Sequence, residues 1–508
     1  MKKALIIILM TILLGSCKSR VDLGYYPENS GSETAEVSFN ALIGGFFQAA
    51  LKSYPSDAGE KMKHRIYFDG IRIVFYTTDK DDPTQPDKVA YVFDKDIKAI
   101  AGSFSGTDYL PSLIESNEGI NFRVKGSEKI VVGDYLVYYF TSCNDQLKNA
   151  TSVGKPFSEI TGTLNYDPEK DFNKGQLKNN IYYNSEPIKV IKSLFDSKSS
   201  IHKTYQLPTA KLTAINAALS VKWKKEVKDQ RYEIEGDKIL VIPDVQNLKY
   251  LLFPKADEHL QSKFQIYYPI DPNYGGFANK SVDELKSEFL YYYYGSGYLG
   301  KWSNHDSSDL SPYLLIPENT VASSETSAKV ITRVILLVRI IPKSLKEQLA
   351  QKEAGGTKHG WVNYNRKQYI DNDFENIYQS LRKKSTLTDE EKEFIAVGSR
   401  IMQSGKNALI PDGYEDNDIQ YYNRSYCYYA FPITHSSLDA VGGTTDNGGY
   451  FGVVRNHHYE YAINSFSSIG KASTKYLSYD LDYLSDRFIS SNCEIGDMKE
   501  VINEIDEL

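Results

Sequence analysis

Residues 120–124 read Ile-Asn-Phe-Arg-Val, apolar and polar in alternation, the pattern of a strand with one buried face. Short runs of the same kind recur along the chain. Residues 66–68, 71–76, 89–93, 239–242, 250–253, 264–268, 330–341, 426–431, 450–454 and 459–466 are all rich in β-branched, aromatic or other apolar residues, so each predicts a strand. Residues 130–140 predict two strands split by the Gly133-Asp134 turn. Residues 37–42 form a shorter apolar run that continues irregularly to Leu51. Residues 211–226 support two readings, being Ala-rich at first and alternating from Leu219 to Trp223. Helical spacing is confined to residues 344–353, 373–383 and 388–402. The last of these opens with Thr388 followed by three acids, an N-terminal signal. Many short strands with turn residues between them predict a mostly β chain of two β-sandwich domains with a few short helices. The polar stretch 197–204 and Pro208 place the seam near 205–215, which gives domains at 37–207 and 208–472.

The first residues have another pattern. Lys2 and Lys3 precede an apolar segment from Ala4 to Leu14, and Leu14-Gly15-Ser16-Cys17 follows. That segment is too short to cross a bilayer and predicts a cleaved export signal over 1–16. A cysteine directly after small residues resembles the bacterial lipoprotein signal, in which the thiol of the new first residue, here Cys17, is acylated. Several acyl chains on one residue anchor a protein stably. Residues 17–36 are polar, with Pro27, Gly31 and several serines, and read as a tether.

Composition narrows the function. The net charge is −7 and no basic tract stands out, which argues against nucleic-acid binding. Forty tyrosines, clustered at 291–294, 421–422 and 426–429, suit half-buried strands and also contact surfaces. Cys143, Cys427 and Cys493 lie too far apart for a metal motif or a disulfide scaffold. The tail, 473–508, holds nine acids and three bases.

Catalytic patterns were sought and not found. There is no Gly-x-Ser-x-Gly elbow, Walker loop or His-Glu-x-x-His helix. His457 and His458 are adjacent, so on a strand they face opposite ways and cannot chelate together. The acidic run 412–418 lacks the ordered ligands of a calcium loop and reads as a solvated turn. The expectation is a non-enzyme without cofactor or metal.

Several blocks together resemble the fimbrillin family, the Mfa-type subunits of type V pili in Gram-negative anaerobes. Gly452-Val453-Val454-Arg455-Asn456-His457-His458-Tyr459, running on to Ile469-Gly470, looks like the family's C-terminal signature. Tyr428-Tyr429-Ala430-Phe431-Pro432-Ile433-Thr434-His435 resembles the tyrosine-rich strand paired with it, and Ile316-Pro317-Glu318-Asn319-Thr320 another block. Residues 71–75 and 133–138 are similar to early strands of the family. In this motif Val454, Arg455, Asn456 and Tyr459 read as structural, Arg455-Asn456 as a turn with a charged donor.

The resemblance implies transthyretin-like, Greek-key sandwiches and export as an outer-membrane lipoprotein. It also implies removal of the first strand, here 37–42, by an Arg- or Lys-specific protease. The cut falls at Lys52, Lys61, Lys63 or Arg65, with Arg65 preferred because it stands just before the next apolar run. A strand from another subunit then fills the vacancy, so the implied partners are other pilus subunits and host or bacterial surface ligands. One departure is visible: major subunits usually end in a further strand with a tryptophan-bearing core, and this chain has no tryptophan after Trp361. Residues 476–483, with Leu477, Tyr479, Leu481 and Tyr483 on one face, are the donor candidate. Shaft, tip, accessory and anchor positions stay open, as does a non-polymerising, lipid-anchored module that binds glycan or protein.

Overall fold

The computed structural model describes residues 33–43, 70–96, 120–173, 176–177, 180–195, 204–275, 277, 279–291, 303–306, 314–322, 328–403, 412–437, 439–444, 448–477 and 489–497. It is mostly β, built of several mainly antiparallel sheets with few helices. Two units emerge, one from residues up to 164 with 180–214, the other from 165–179 and 215 onward.

In the first unit β1 (Thr34–Ile43) pairs antiparallel with β4 (Ile120–Val131). A second sheet places β5 (Tyr135–Thr141) beside β2 (Gly70–Thr78), and β2 beside β3 (Pro86–Asp96). Every residue of β5 is buried. Two short strands, β6 (Tyr182–Tyr183) and β7 (Ile188–Val190), pair with β5 in turn. Between them Asn184 substitutes for backbone. Its Oδ1 accepts from Tyr139 N at 2.6 Å and its Nδ2 donates to Val137 O at 3.0 Å, so the β5 ladder has no gap there. The returning chain forms β8 (Thr204–Gln206) and β9 (Ala210–Ala214). Strand β9 joins the two sheets: residues 210–212 pair with β1 and residues 213–214 with β6.

In the second unit two sheets enclose the largest apolar core. One contains β10 (Asn216–Trp223), with β14 (Leu314–Pro317) antiparallel on one side and β21 (His457–Phe466) parallel on the other. A hairpin of Phe172–Asn173 and Gln176–Leu177 extends it past β14, which explains why 165–179 belongs to this unit. The edge beyond β21 is β22 (Ile489–Asp497). The facing sheet contains β11 (Tyr232–Ile234), β12 (Lys238–Asp244), β13 (Ser303–Asp306), β15 (Arg333–Pro342) and β20 (Tyr426–Pro432). Strand β15 is buried on both faces. Its Val334, Leu336, Val338 and Ile340 enter the core, while Arg333 pairs with buried Asp244 at 2.8 Å. Residues 211–226, ambiguous in sequence, lie in strands β9 and β10 and the turn beyond.

Between neighbours β15 and β20 the chain makes an excursion over residues 343–425. It comprises α1 (Lys346–Glu353), the hairpin β16 (Trp361–Tyr364) and β17 (Lys367–Ile370), helices α2 (Asp371–Arg382) and α3 (Asp389–Gln403), then β18 (Tyr414–Glu415) and β19 (Ile419–Tyr422). The sheet runs β17-β16-β19-β18, and both longer helices cover one face of it. Gly398 lets them approach: a Cβ there would meet the Tyr378 ring at 2.5 Å. The α3 start is a reciprocal cap, with Glu391 N donating to Thr388 Oγ1 at 3.3 Å and Thr388 N to the Glu391 carboxylate at 3.0 Å.

Three strand expectations need correction. Phe264 ends a helix, Glu258–Phe264, capped by Asp257, and Gln265 then turns left-handed; the aromatic run 264–268 is no strand. Of residues 250–253 only Tyr250 is in a strand, and of 450–454 only Gly452–Val453. The remaining apolar residues of these runs pack from irregular backbone, so their period carries no strand information. Residues 66–68 and the end of the 37–51 run lie outside the described residues.

Candidate functional site

Strand β1 is a central strand, paired on both sides. Its alternation sends Val37, Phe39 and Ala41 inward, and all three are fully buried. The Phe39 ring lies 6.2 Å from Phe75, 5.8 Å from Phe93 and 6.4 Å from Tyr139, with edge-on geometry to Phe75 and Tyr139. On one side β4 runs antiparallel over nearly the whole strand, with one irregularity between Val37 and Phe39. On the other side β8 and β9 run parallel, Glu36–Ser38 against Thr204–Gln206 and Ala41–Ile43 against Ala210–Leu212. Where β8 ends, Leu207 N donates to Ser38 O at 3.0 Å. The Glu36 carboxylate accepts from Ser127 Oγ at 3.2 Å and Thr204 Oγ1 at 3.1 Å, tying both neighbours to β1. Without β1, β4 and β8–β9 would each present unpaired backbone, and an aromatic wall would face water.

The C-terminal motif forms a buried clamp within the second unit. Arg455 donates from Nε and Nη2 to the two carboxylate oxygens of Glu318, both at 2.7 Å, and both side chains are buried. Its Nη1 reaches Leu252 O at 3.0 Å and its Nη2 reaches Leu251 O at 2.7 Å. Asn456 follows with φ of 62°, a left-handed turn residue, and its N donates to Asn216 O at 2.9 Å. Val454 is fully buried against Leu260 and Tyr268. Tyr459 OH accepts from Val454 N at 2.9 Å and meets His435 Nδ1 at 3.0 Å. Gly452 has φ of 121°, and a Cβ there would lie 2.4 Å from Tyr268 OH, so the position needs glycine.

Burial sets the electrostatics around the clamp. It pushes the Asp271 carboxyl up to about 7, even though that carboxylate accepts from Thr320 N at 2.5 Å and Asn273 N at 2.6 Å. It pushes the His435 imidazole well down, helped by His457, and His458 down to about 4, helped by Lys222. His457 and His458 face different partners: His457 Nδ1 meets Arg455 O at 2.8 Å, His458 Nε2 meets Ser220 Oγ at 2.8 Å. In the acidic run 412–418, Asp416 caps its own turn through Asp418 N and Ile419 N and pairs with Arg400 at 2.6 Å. No group of three or more metal-ligating side chains occurs among the described residues.

Thus Val454, Arg455, Asn456 and Tyr459 come together around one turn. Glu318, Asp271 and Asn273 were missed as members of that network. Glu318 could have been found through its place in the block 316–320; nothing in sequence couples it to Arg455 across 137 positions. Cys17, Lys52, Lys61, Lys63 and Arg65 lie outside the described residues, as do residues 478–483 of the donor candidate.

The clamp and the tyrosine-rich strands sit in or beside a stretch with a recognisable family signature. Residues 420–496 match the family model for the major fimbrial subunit protein type IV, fimbrillin, C-terminal. The resemblance to fimbrillins drawn from the motifs therefore holds over this C-terminal stretch. No curated protein matches the chain. Among solved structures, the tip fimbrial protein Mfa3 from Porphyromonas gingivalis, with C-terminal truncation, is 12% identical with a TM-score of 0.37, over 92% of this chain and 100% of that one. A fimbrilin (fimA) from Porphyromonas gingivalis W83 is 12% identical with a TM-score of 0.40, over 93% of this chain and 99% of that one. At such scores the likeness says nothing by itself about function.

Proposed function

We propose that this chain is a surface-exposed subunit of a pilus or adhesive fibre, exported with a lipid on Cys17, and that β1 is its exchangeable strand. The observation that supports this most is the setting of β1: a strand fully buried at three alternating positions lies between strands on both sides. The C-terminal fimbrillin match agrees with it. The four candidate cuts, Lys52, Lys61, Lys63 and Arg65, all fall after β1 ends at Ile43 and before β2 begins at Gly70. Cleavage at any of them severs β1, and the acylated Cys17 with it, from the remaining chain. A strand from another copy or another subunit then takes the channel. Head-to-tail occupation does not close on itself, so it produces a filament.

A second reading keeps β1 in place and makes the chain a lipid-anchored binding module. The pairing of β22 within its own unit favours it, because a C-terminal strand already paired with β21 is not free to be donated. N-terminal sequencing of the protein from cell surfaces separates the two. A start after one of the four basic residues, with a ladder on unboiled gels, supports exchange. A single species that begins at acylated Cys17 and retains residues 37–42 overturns it in favour of the anchored module.

A further inference from the structure

The excursion between β15 and β20 carries a cleft of about 400 Å3 on the sheet face away from its helices. Val362, Tyr364 and Ile419 point to the helix side, so the alternate residues Asn363 and Gln420 occupy the other. They stand opposite each other in the β16–β19 register, within a cross-strand row of Gln368, Asn363, Gln420 and Glu415. The outer two members are engaged: Gln368 accepts from Ser344 Oγ at 2.6 Å and Glu415 from Lys471 Nζ at 2.6 Å. The central two bond to each other, Asn363 Nδ2 donating to Gln420 Oε1 at 3.0 Å. This orients both amides on rigid strands and leaves Asn363 Oδ1 and Gln420 Nε2 without a partner among the described residues.

Two turns complete the wall. Asn365 and Arg366 form the two-residue β16–β17 turn with φ of 47° and 62°. Such turns favour glycine at the second position, and here an arginine bears the unfavourable backbone. The Arg366 guanidinium is exposed and has no partner among the described residues. From the other turn come Asn417 and Asp418. Asp416 beside them is consumed by its turn and by Arg400, so among the described residues Asp418 is the carboxylate left to line the cleft.

The lining is therefore four amides, one cation, one anion and a single apolar residue, Ile419. Among the described residues it has no cluster of carboxylates for a metal ion and no cluster of cations for a phosphate. Among the described residues Ile419 is its one apolar member, too little for the floor that a side-chain anchor needs. Planar groups that donate and accept in close alternation, with charges that cancel, match a neutral ligand dense in hydroxyls. We infer that this cleft is a binding site for a neutral saccharide. The inference goes beyond the strand-exchange reading and is independent of it, since none of its residues belongs to β1 or its neighbours.

The test uses the secreted full-length chain bearing Cys17→Ser, probed by saturation-transfer NMR with methyl glycosides of glucose, galactose, mannose, fucose and N-acetylglucosamine. Sialic acid, glucosamine and a tetrapeptide serve as charged and non-sugar probes. At least one neutral glycoside should bind saturably. Asn363→Ala and Gln420→Ala should each weaken it about tenfold, the scale of one hydrogen bond between well-placed partners. Arg366→Gly should weaken binding while the melting temperature holds or rises, because glycine relieves the left-handed backbone. A residue kept only for the turn would instead leave binding unchanged. The inference is overturned if no neutral glycoside binds, if only the other probes bind, or if all three variants bind like the parent.

Discussion

Replacing Phe39 by alanine isolates what holds β1 in its channel. The ring is fully buried and touches rings from β2, β3 and β5, so its loss removes apolar burial and leaves a cavity between strands that are each held by other pairings. Phe→Ala changes at such sites cost about 3–5 kcal/mol. The neighbour Ser38 points the other way, is partly exposed, and makes only a long contact of 3.4 Å to Tyr205 O, so Ser38→Ala should cost no more than about 0.5 kcal/mol. In a unit of this size each kcal/mol moves the midpoint by about 2–4 °C, so Phe39→Ala should lower the first unit's transition by roughly 6–20 °C. Scanning calorimetry of the full chain reads this, because the two units can melt separately. A chain begun at residue 66 extends the test. Added peptide 33–43 should restore the transition, and the same peptide with Phe39→Ala should not. The reasoning fails if Phe39→Ala and Ser38→Ala shift the midpoint equally, since β1 would then be held by backbone pairing alone.

Other outcomes follow from the second unit. Arg455→Ala strips a buried carboxylate of its bidentate partner and should cost about 3–5 kcal/mol in urea unfolding; Arg455→Met with Glu318→Gln should recover part of the loss because no unpaired charge remains. For pH, His435 and His458 have folded pKa values below their unfolded values, so their contribution is present above about pH 6.5 and is lost as pH falls. Asp271 works in the opposite sense, its folded pKa being raised to about 7, so its contribution is lost as pH rises from 4 to 7. Two histidines against one carboxyl leave a net loss of stability as pH falls below 6, and melting curves that rise from pH 7 to pH 5 would contradict it. Burial raises the Cys427 thiol far above its usual range and leaves it fully enclosed, so iodoacetamide should label it only after unfolding, as peptide mapping will show.

Local pattern revealed much of this molecule, and distance in sequence hid the remainder. Strands 71–76, 330–341 and 459–466 were legible because alternation or β-branched density survives where both sheet faces find partners. Helix α3 was legible from Thr388 and its acids. The segment 264–268 misled because aromatic residues at a helix C-terminus imitate strand composition. The run 37–42 showed that a strand begins there, and the family resemblance suggested that it is removable. That it lies between β4 and the parallel pair β8–β9 required contacts across as many as 167 positions, which no local period encodes. The same holds for Arg455 and Glu318. For the cleft, Asn363 and Gln420 are unremarkable polar residues until two strands place them opposite each other.

The shape of the β1 channel constrains whatever takes its place. On the proposed exchange, a replacement must present three inward residues of the sizes of Val37, Phe39 and Ala41, and a slip by one residue would turn polar groups inward. The last of the three is the selective one: Ala41 is fully buried, so a large side chain there overpacks the channel at a cost of about 1–3 kcal/mol. The donor candidate can be weighed on this. With Tyr479 in the place of Phe39, Leu481 falls on Ala41, and running the strand backwards puts Leu477 there. Moving the register by four sets Leu481, Tyr483 and Ser485 against Val37, Phe39 and Ala41, which keeps the large-then-small order. Within this candidate, the register centred on Tyr483 is the one that fits the channel. Ser485→Leu should then abolish mixed ladders in cells; if the ladders persist, the donor belongs to a different subunit.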